Sequence, residues 1–154
     1  MENREHREAE DTNYKADRST WGRGPWDQEP EDRVDFVDSG FAAFIKRGPM
    51  GVWCGYVGVP NTHPLYGKHY GDAEDAGIEV HGGLTYANKC AGEICHVPEP
   101  GMPDDVWWFG FDCGHWNDIV PSMARYHEET GIYRDKTYAI EQARLLAAQL
   151  KDVK

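Results

Sequence analysis

The chain has 154 residues, a length that suits one domain. Its formal net charge of −11 works against gripping a nucleic-acid polymer, which takes clustered Lys and Arg. It contains no apolar run of the ~20 residues that a membrane span needs.

Six Trp, eight Tyr, five Phe and seventeen Gly point to a loop-rich fold with a core built from large rings. The N-terminus is charged rather than apolar, so a secretory signal is not expected and a location in the cytoplasm is the default. In that setting Cys54, Cys90, Cys95 and Cys113 are expected to be reduced. The acidic balance fits a solvated surface, or a decoy that binds a basic partner.

Residues 1–33 stand apart. Sixteen of them are charged, with both signs mixed, and aliphatic residues are nearly absent. Such a segment buries too little apolar area to offset chain entropy, so a disordered or loosely docked tail is expected. Residues 1–7 could form a transient helix through spaced Glu and Arg. Trp21 and Trp26 could anchor the tail to the domain or to a partner. One folded domain is then expected over 34–154.

Residues 34–37 read as a short strand, and 39–46 fit either a strand or one helical turn. Residues 51–59 read as a buried strand in which Cys54 is a small core residue, followed by a turn-rich loop at 60–67. The acidic stretch 71–77 is expected to be a loop leading into a strand at 78–81. Gly82-Gly83 then breaks that strand, and 84–87 resumes it as a tight hairpin would. Residues 88–105 look irregular, with Pro98, Pro100 and Pro103. A strand follows at 105–112, then a loop and a short helix through 123–126. Residues 137–153 form the clearest element, an amphipathic helix. Ile140, Ala143, Leu146 or Ala147, and Leu150 recur at helical spacing, and Asp135 or Thr137 can cap it. The class expected is α+β: a mainly antiparallel or mixed sheet of about four to six strands with the C-terminal helix on one face.

The candidate site lies where two strand ends should meet. The run from Val106 to Asp118 is an aromatic strand that delivers Asp112, Cys113, His115 and Asp118 within seven residues. Val80-His81-Gly82-Gly83 does the same on a smaller scale. Asp112, His115 and Asp118 fall at i, i+3 and i+6, so a helical turn would bring them to one side. With His81 they make a donor set for Zn²⁺, Mn²⁺, Mg²⁺ or Fe²⁺, and an open position on the metal could activate water. The competing expectation is that the two Asp cap turns while His115 bonds to one of them. Thr85 and Tyr86 could add hydroxyl donors, and Gly82 and Gly83 could offer backbone amides to an anion or simply turn the chain. Trp116, inside the polar cluster, is the ring expected to line a pocket and stack on a flat ligand. Trp107 and Trp108, consecutive in a strand, should point to opposite faces.

Two sulfur-based alternatives compete. Cys90-x4-Cys95-His96 with Cys113 and His115 could hold a structural Zn²⁺, although the spacing departs from the paired two-residue gaps of a zinc knuckle. Cys113 beside an imidazole could be a nucleophile.

Tyr56-Val57-Gly58-Val59-Pro60, His63-Pro64-Leu65-Tyr66-Gly67, Val80-His81-Gly82-Gly83-Leu84-Thr85-Tyr86 and Gly110-Phe111-Asp112-Cys113-Gly114-His115 followed by Asp118 resemble a family of small proteins of bacteriophages, prophages and bacteria. The likeness spans about residues 50–120 and the C-terminal helix. That family has no activity assigned to it, so the resemblance implies a setting, the inside of an infected bacterium, and no chemistry.

Three functions follow as expectations. The first is a metal-dependent hydrolase in which His81, Asp112, His115 and Asp118 hold a divalent ion and its water, with a nucleotide or similar small phosphorylated substrate held by the aromatic rim. The second is a non-enzymatic binding protein that sequesters a small nucleotide signal or blocks a host protein through its acidic surface. The third is an assembly role in which the aromatic surface is an interface.

Overall fold

The computed structural model describes residues 14–126 and 131–154. Five strands form one antiparallel sheet: β1 (Arg33–Asp38), β2 (Phe41–Arg47), β3 (Trp53–Pro60), β4 (Tyr86–Lys89) and β5 (Val106–Asp112). Their spatial order is β1-β2-β3-β5-β4, so the late strand β5 lies between β3 and the edge strand β4. A short helix, α1 (Tyr70–Asp75), follows β3, and the long helix α2 (Lys136–Asp152) packs on β3 and β2. This is the α+β architecture that the sequence pattern predicts, with the C-terminal helix on one face. No described helix is long and apolar enough to cross a membrane.

The ambiguous stretch at 39–46 becomes a strand because of what precedes it. Ser39 and Gly40 both take positive φ, 55° and 82°, as the centre of a two-residue hairpin turn requires. That turn pairs Asp38 with Phe41 and sets the β1–β2 register.

Alternation along β5 divides the core in two. Phe109 and Phe111 join Ile45, Trp53, Val57 and Val59 under α2, whose Ala139, Ala143, Leu146, Ala147 and Leu150 are buried. Trp108 turns to the other face, where it meets Phe44 edge-on at 5.0 Å, while Trp107 packs on the α2 side. Asp135 caps α2, its carboxylate accepting from the Tyr138 amide at 2.8 Å.

Residues 71–77 are not a loop: they lie in and just after α1, which His69 caps by accepting the Gly71 amide at 3.0 Å. Residues 78–81 are not a strand, and Gly82-Gly83 does not turn a hairpin. Their backbone is paired by side chains of α2 instead. The Gln149 amide bonds both the N–H and the C=O of Glu79, each at 2.8 Å, and Gln142 accepts from the His81 N–H at 2.9 Å. Two glutamines seven residues apart on one helix face thus take the place of a neighbouring strand. The short helix expected at 123–126 is a 3₁₀ turn, Pro121–Tyr126.

The expected helix at 1–7 lies outside the described residues. The rest of the charged N-terminal segment, residues 14–33, packs on the domain rather than hanging free. Trp21 and Trp26 are buried, and Trp26 meets Tyr133 edge-on at 5.4 Å. The charges themselves act as anchors. Buried Glu29 accepts from Arg47 at 2.9 Å, Trp53 at 3.3 Å, the Lys136 amide at 2.6 Å and the Tyr133 hydroxyl. Buried Asp32 takes Arg18 at 2.6 Å and the Ala16 amide at 2.9 Å. A polar segment can pack when its charges are paired and hydrogen-bonded, a condition that composition does not reveal.

Cys90 and Cys95, expected to be reduced, are joined in a disulfide, while Cys54 and Cys113 are free thiols. A tight turn between them brings their Cα atoms to 4.6 Å.

Candidate functional site

Asp112 is the last residue of β5, and strand-like pairing runs one residue further, the Cys113 amide donating to Trp53 O at 2.9 Å. The chain then folds into consecutive turns. Asp112 Oδ1 accepts the Gly114 amide at 3.0 Å, and Asp118 Oδ2 accepts the His115 amide at 3.0 Å. Asn117, at φ 73°, reverses the direction, and the 117–119 segment pairs with the backbone of Ile132. That pairing delivers Arg134 to Asp118, with Nε at 3.0 Å from Oδ1.

The two chain segments predicted to meet do meet. His81 Nε2 lies 2.7 Å from Asp118 Oδ2, and His81 Nδ1 lies 2.7 Å from the Tyr138 hydroxyl on α2. An N–H on Nε2 facing the carboxylate leaves Nδ1 to accept the phenol proton. Partial burial raises the Tyr138 hydroxyl above its ordinary range, which keeps it a donor. Asp118 is buried and held on both oxygens: Arg134 bonds one, and His81 and the His115 amide bond the other.

Asp112 and His115 form a second pair, Nε2 to Oδ1 at 3.3 Å, with both side chains one third exposed. Thr85 Oγ1 donates to the other Asp112 oxygen at 3.2 Å. The two imidazoles face each other with ring centres 5.9 Å apart. Gly82 makes that approach feasible: at φ 69°, a Cβ there would sit 2.1 Å from His115 Cδ2.

The four predicted ligands therefore stand as two adjacent pairs rather than as one shell around a point. Both Asp caps expected from the competing local pattern are present alongside them. Among the described residues, the set of His, Cys, Asp or Glu whose ligand atoms lie within 4.8 Å of one another is Cys90, Cys95 and His96. That set could hold a metal, but its two sulfurs are bonded to each other.

The other predicted residues divide. Thr85 belongs to the site through Asp112. Tyr86 does not: its ring packs edge-on against Tyr56 at 5.5 Å, with the cluster on the far face of the sheet. The Gly83 and Leu84 amides are already used, by Val80 O at 2.9 Å and by Glu74 Oε2 at 3.1 Å, so Gly82-Gly83 turns the chain here. Cys113 is buried with its thiol pushed up by desolvation, the reverse of what a thiolate nucleophile needs. Trp116 is 94% exposed and stands at a hollow of about 610 Å³ whose walls include Gly114, His115 and Asp118.

Sequence reasoning missed Tyr138, Arg134, Gln142 and Glu74. Tyr138 and Gln142 lie four apart beside the buried stripe of α2, a polar face whose spacing was visible but whose partner was not.

The chain matches no family model, no curated protein and no solved structure.

Proposed function

We propose that the protein is a small hydrolase that acts on a nucleotide or similar small phosphorylated molecule held in the hollow beside Trp116. One contrast carries the proposal. The His81–Asp118 pair is tied to Tyr138, Arg134 and the His115 amide, whereas the side chains of Asp112 and His115 are each one third exposed and His115 lines the hollow. An imidazole backed by a carboxylate is suited to drawing a proton from water as it attacks. His81, Asp118, Tyr138 and Arg134 are then the rigid support that aims the turn. A divalent ion such as Zn²⁺, Mn²⁺ or Mg²⁺ would take Asp112 and His115 and fill its remaining positions with water and phosphate oxygens. The Trp116 face would stack on a base.

The test is a hydrolysis screen of nucleotides and phosphate esters, run with chelator and with each metal. His115→Ala and Asp112→Asn are expected to lower the rate by about 10²–10⁴-fold, the usual contribution of a positioned acid or base. Full activity in His115→Ala overturns the proposal. Loss of activity with chelator separates metal-assisted hydrolysis from direct attack.

The near-complete exposure of Trp116, on a chain of net charge −11, favours a second function: a binding protein that sequesters a small nucleotide or blocks a host protein. In that case Trp116→Ala abolishes binding, His115→Ala spares it, and no turnover is seen. The proposed setting for either is the cytoplasm of a phage-infected bacterium, in keeping with the family resemblance.

A further inference from the structure

A different cluster lies on the sheet face opposite α2. Cys90 directly follows β4, and Cys95 and His96 come after a tight turn in which Ala91 and Ile94 bond each other's backbones at 3.1 and 3.0 Å. The two sulfurs and a ring nitrogen of His96 converge to within 4.8 Å of one another. Cys95 and His96 are buried, and Cys90 is half-buried. His96 stands edge-on to Trp108 at 4.9 Å, and Trp108 Nε1 donates to Cys90 Sγ at 3.4 Å.

The turn is held by contacts that do not involve the sulfur–sulfur bond. Arg33 donates to Cys95 O at 2.8 Å and to Glu93 O at 3.3 Å, and is itself fixed by Asp35 at 2.7 Å. Lys46 pairs with the Glu93 carboxylate at 3.0 Å. β1 and β2 therefore clamp the loop from the sheet. Opening the disulfide leaves the three donor groups on the same support.

We propose that the reduced protein carries a Zn²⁺ site formed by Cys90, Cys95 and His96, and that the disulfide is its closed, metal-free state. Two sulfurs and one imidazole are the donor types that Zn²⁺ prefers, and three protein ligands leave one position for water or a partner's ligand. The interconversion balances with a dithiol reductant. It supplies two electrons and two protons, the Cys90–Cys95 bond breaks to give two thiols, and the reductant is left as its own disulfide. Zn²⁺ then displaces both thiol protons into solvent and binds the two thiolates and His96. The site is separate from the pair proposed for hydrolysis, which involves neither sulfur.

Co²⁺ titration of phosphine-reduced protein under anaerobic conditions tests this. One equivalent is expected to bind, with a thiolate-to-cobalt charge-transfer band and the strong visible bands of a tetrahedral site, and Zn²⁺ should displace it. The oxidised protein should give neither band. The Cys54→Ser/Cys113→Ser double variant should keep both, since its remaining thiols are the proposed ligands. His96→Ala retains both sulfurs, so it tests the site even if Cys95→Ser folds poorly. Loss of an outer-shell partner alone costs about 10–100-fold in metal affinity, and loss of His96 should cost at least as much. Absence of the charge-transfer band from the reduced wild type, its disappearance in the double variant, or unchanged affinity in His96→Ala would each overturn the proposal.

Discussion

Gly82 carries more of the site than its size implies. It combines a left-handed backbone with the face on which the His115 ring rests. Gly82→Ala therefore adds conformational strain of about 1–2 kcal/mol and drives a methyl group into the imidazole. Chemical denaturation should register at least that loss, and the nuclear magnetic resonance signals of His115 should move. An unchanged His115 environment would mean that the ring does not pack there. Tyr138→Phe makes the complementary test on the other imidazole. It removes one hydrogen bond, worth about 1 kcal/mol, and leaves His81 Nδ1 without that donor. If the His81 network positions the turn, any hydrolytic activity should fall in Tyr138→Phe while substrate affinity holds. His81, Asp112, His115 and Asp118 could be picked from the sequence because polar groups cluster at the end of an aromatic run. Their division into an anchored pair and a more exposed pair could not, because it depends on Arg134 and Tyr138, which arrive from elsewhere in the chain.

Among the elements, α2 was legible and the segment it supports was not. The alanines and leucines of α2 recur at a period that only a helix satisfies, and its cap lies at Asp135. Residues 78–81 alternate as a strand does, yet none of the described strands pairs with them. The backbone groups of Glu79 and the His81 amide bond Gln149 and Gln142, whose roles follow from the docking of α2 and not from local pattern. Gln149→Ala should therefore speed amide hydrogen exchange at Glu79 while leaving the sheet amides protected, and cost about 1–2 kcal/mol. Exchange that is unchanged at Glu79 would mean that the glutamine is dispensable. The turn at Ser39-Gly40 teaches the opposite lesson. A small residue followed by glycine between two apolar runs is itself a hairpin signal, and it resolves the ambiguity that periodicity left at 39–46.

Across the whole molecule, buried and half-buried thiols and phenols set the response to alkali. Desolvation pushes the Cys54 thiol from an ordinary 9.0 up to about 12, and it raises Cys113, Tyr56 and Tyr133 as well. Each group is protonated in the folded protein at a pH where the unfolded chain has begun to release its proton. Their contribution is fully present below the unfolded values and is lost as pH climbs above about 9, at up to about 1.4 kcal/mol per pH unit for each group. Urea midpoints should be level near neutrality and fall steadily between pH 9 and about 11. A flat profile over that range would show that these groups are hydrated. The N-terminal segment matters at the same scale. Glu29→Ala takes from buried Arg47 the nearer of its two carboxylates, leaving Asp32 at 3.5 Å, removes the acceptor of Trp53, Tyr133 and the Lys136 amide, and should cost about 3–5 kcal/mol, read as a lowered thermal midpoint. Composition marked residues 1–33 as a disordered or loosely docked tail because it counts charges without knowing the partners that hold Glu29 and Asp32.

The position of β5 has a consequence for how the molecule is made. β1, β2 and β3 can pair as soon as they are synthesised, but the strand that flanks β3 emerges only after α1, the glycine turn and the disulfide loop. Until then the open edge of β3 offers unpaired amides and carbonyls, with apolar side chains on either face. A nascent chain stalled before β5 should be a good client for holdase chaperones and a poor survivor in their absence.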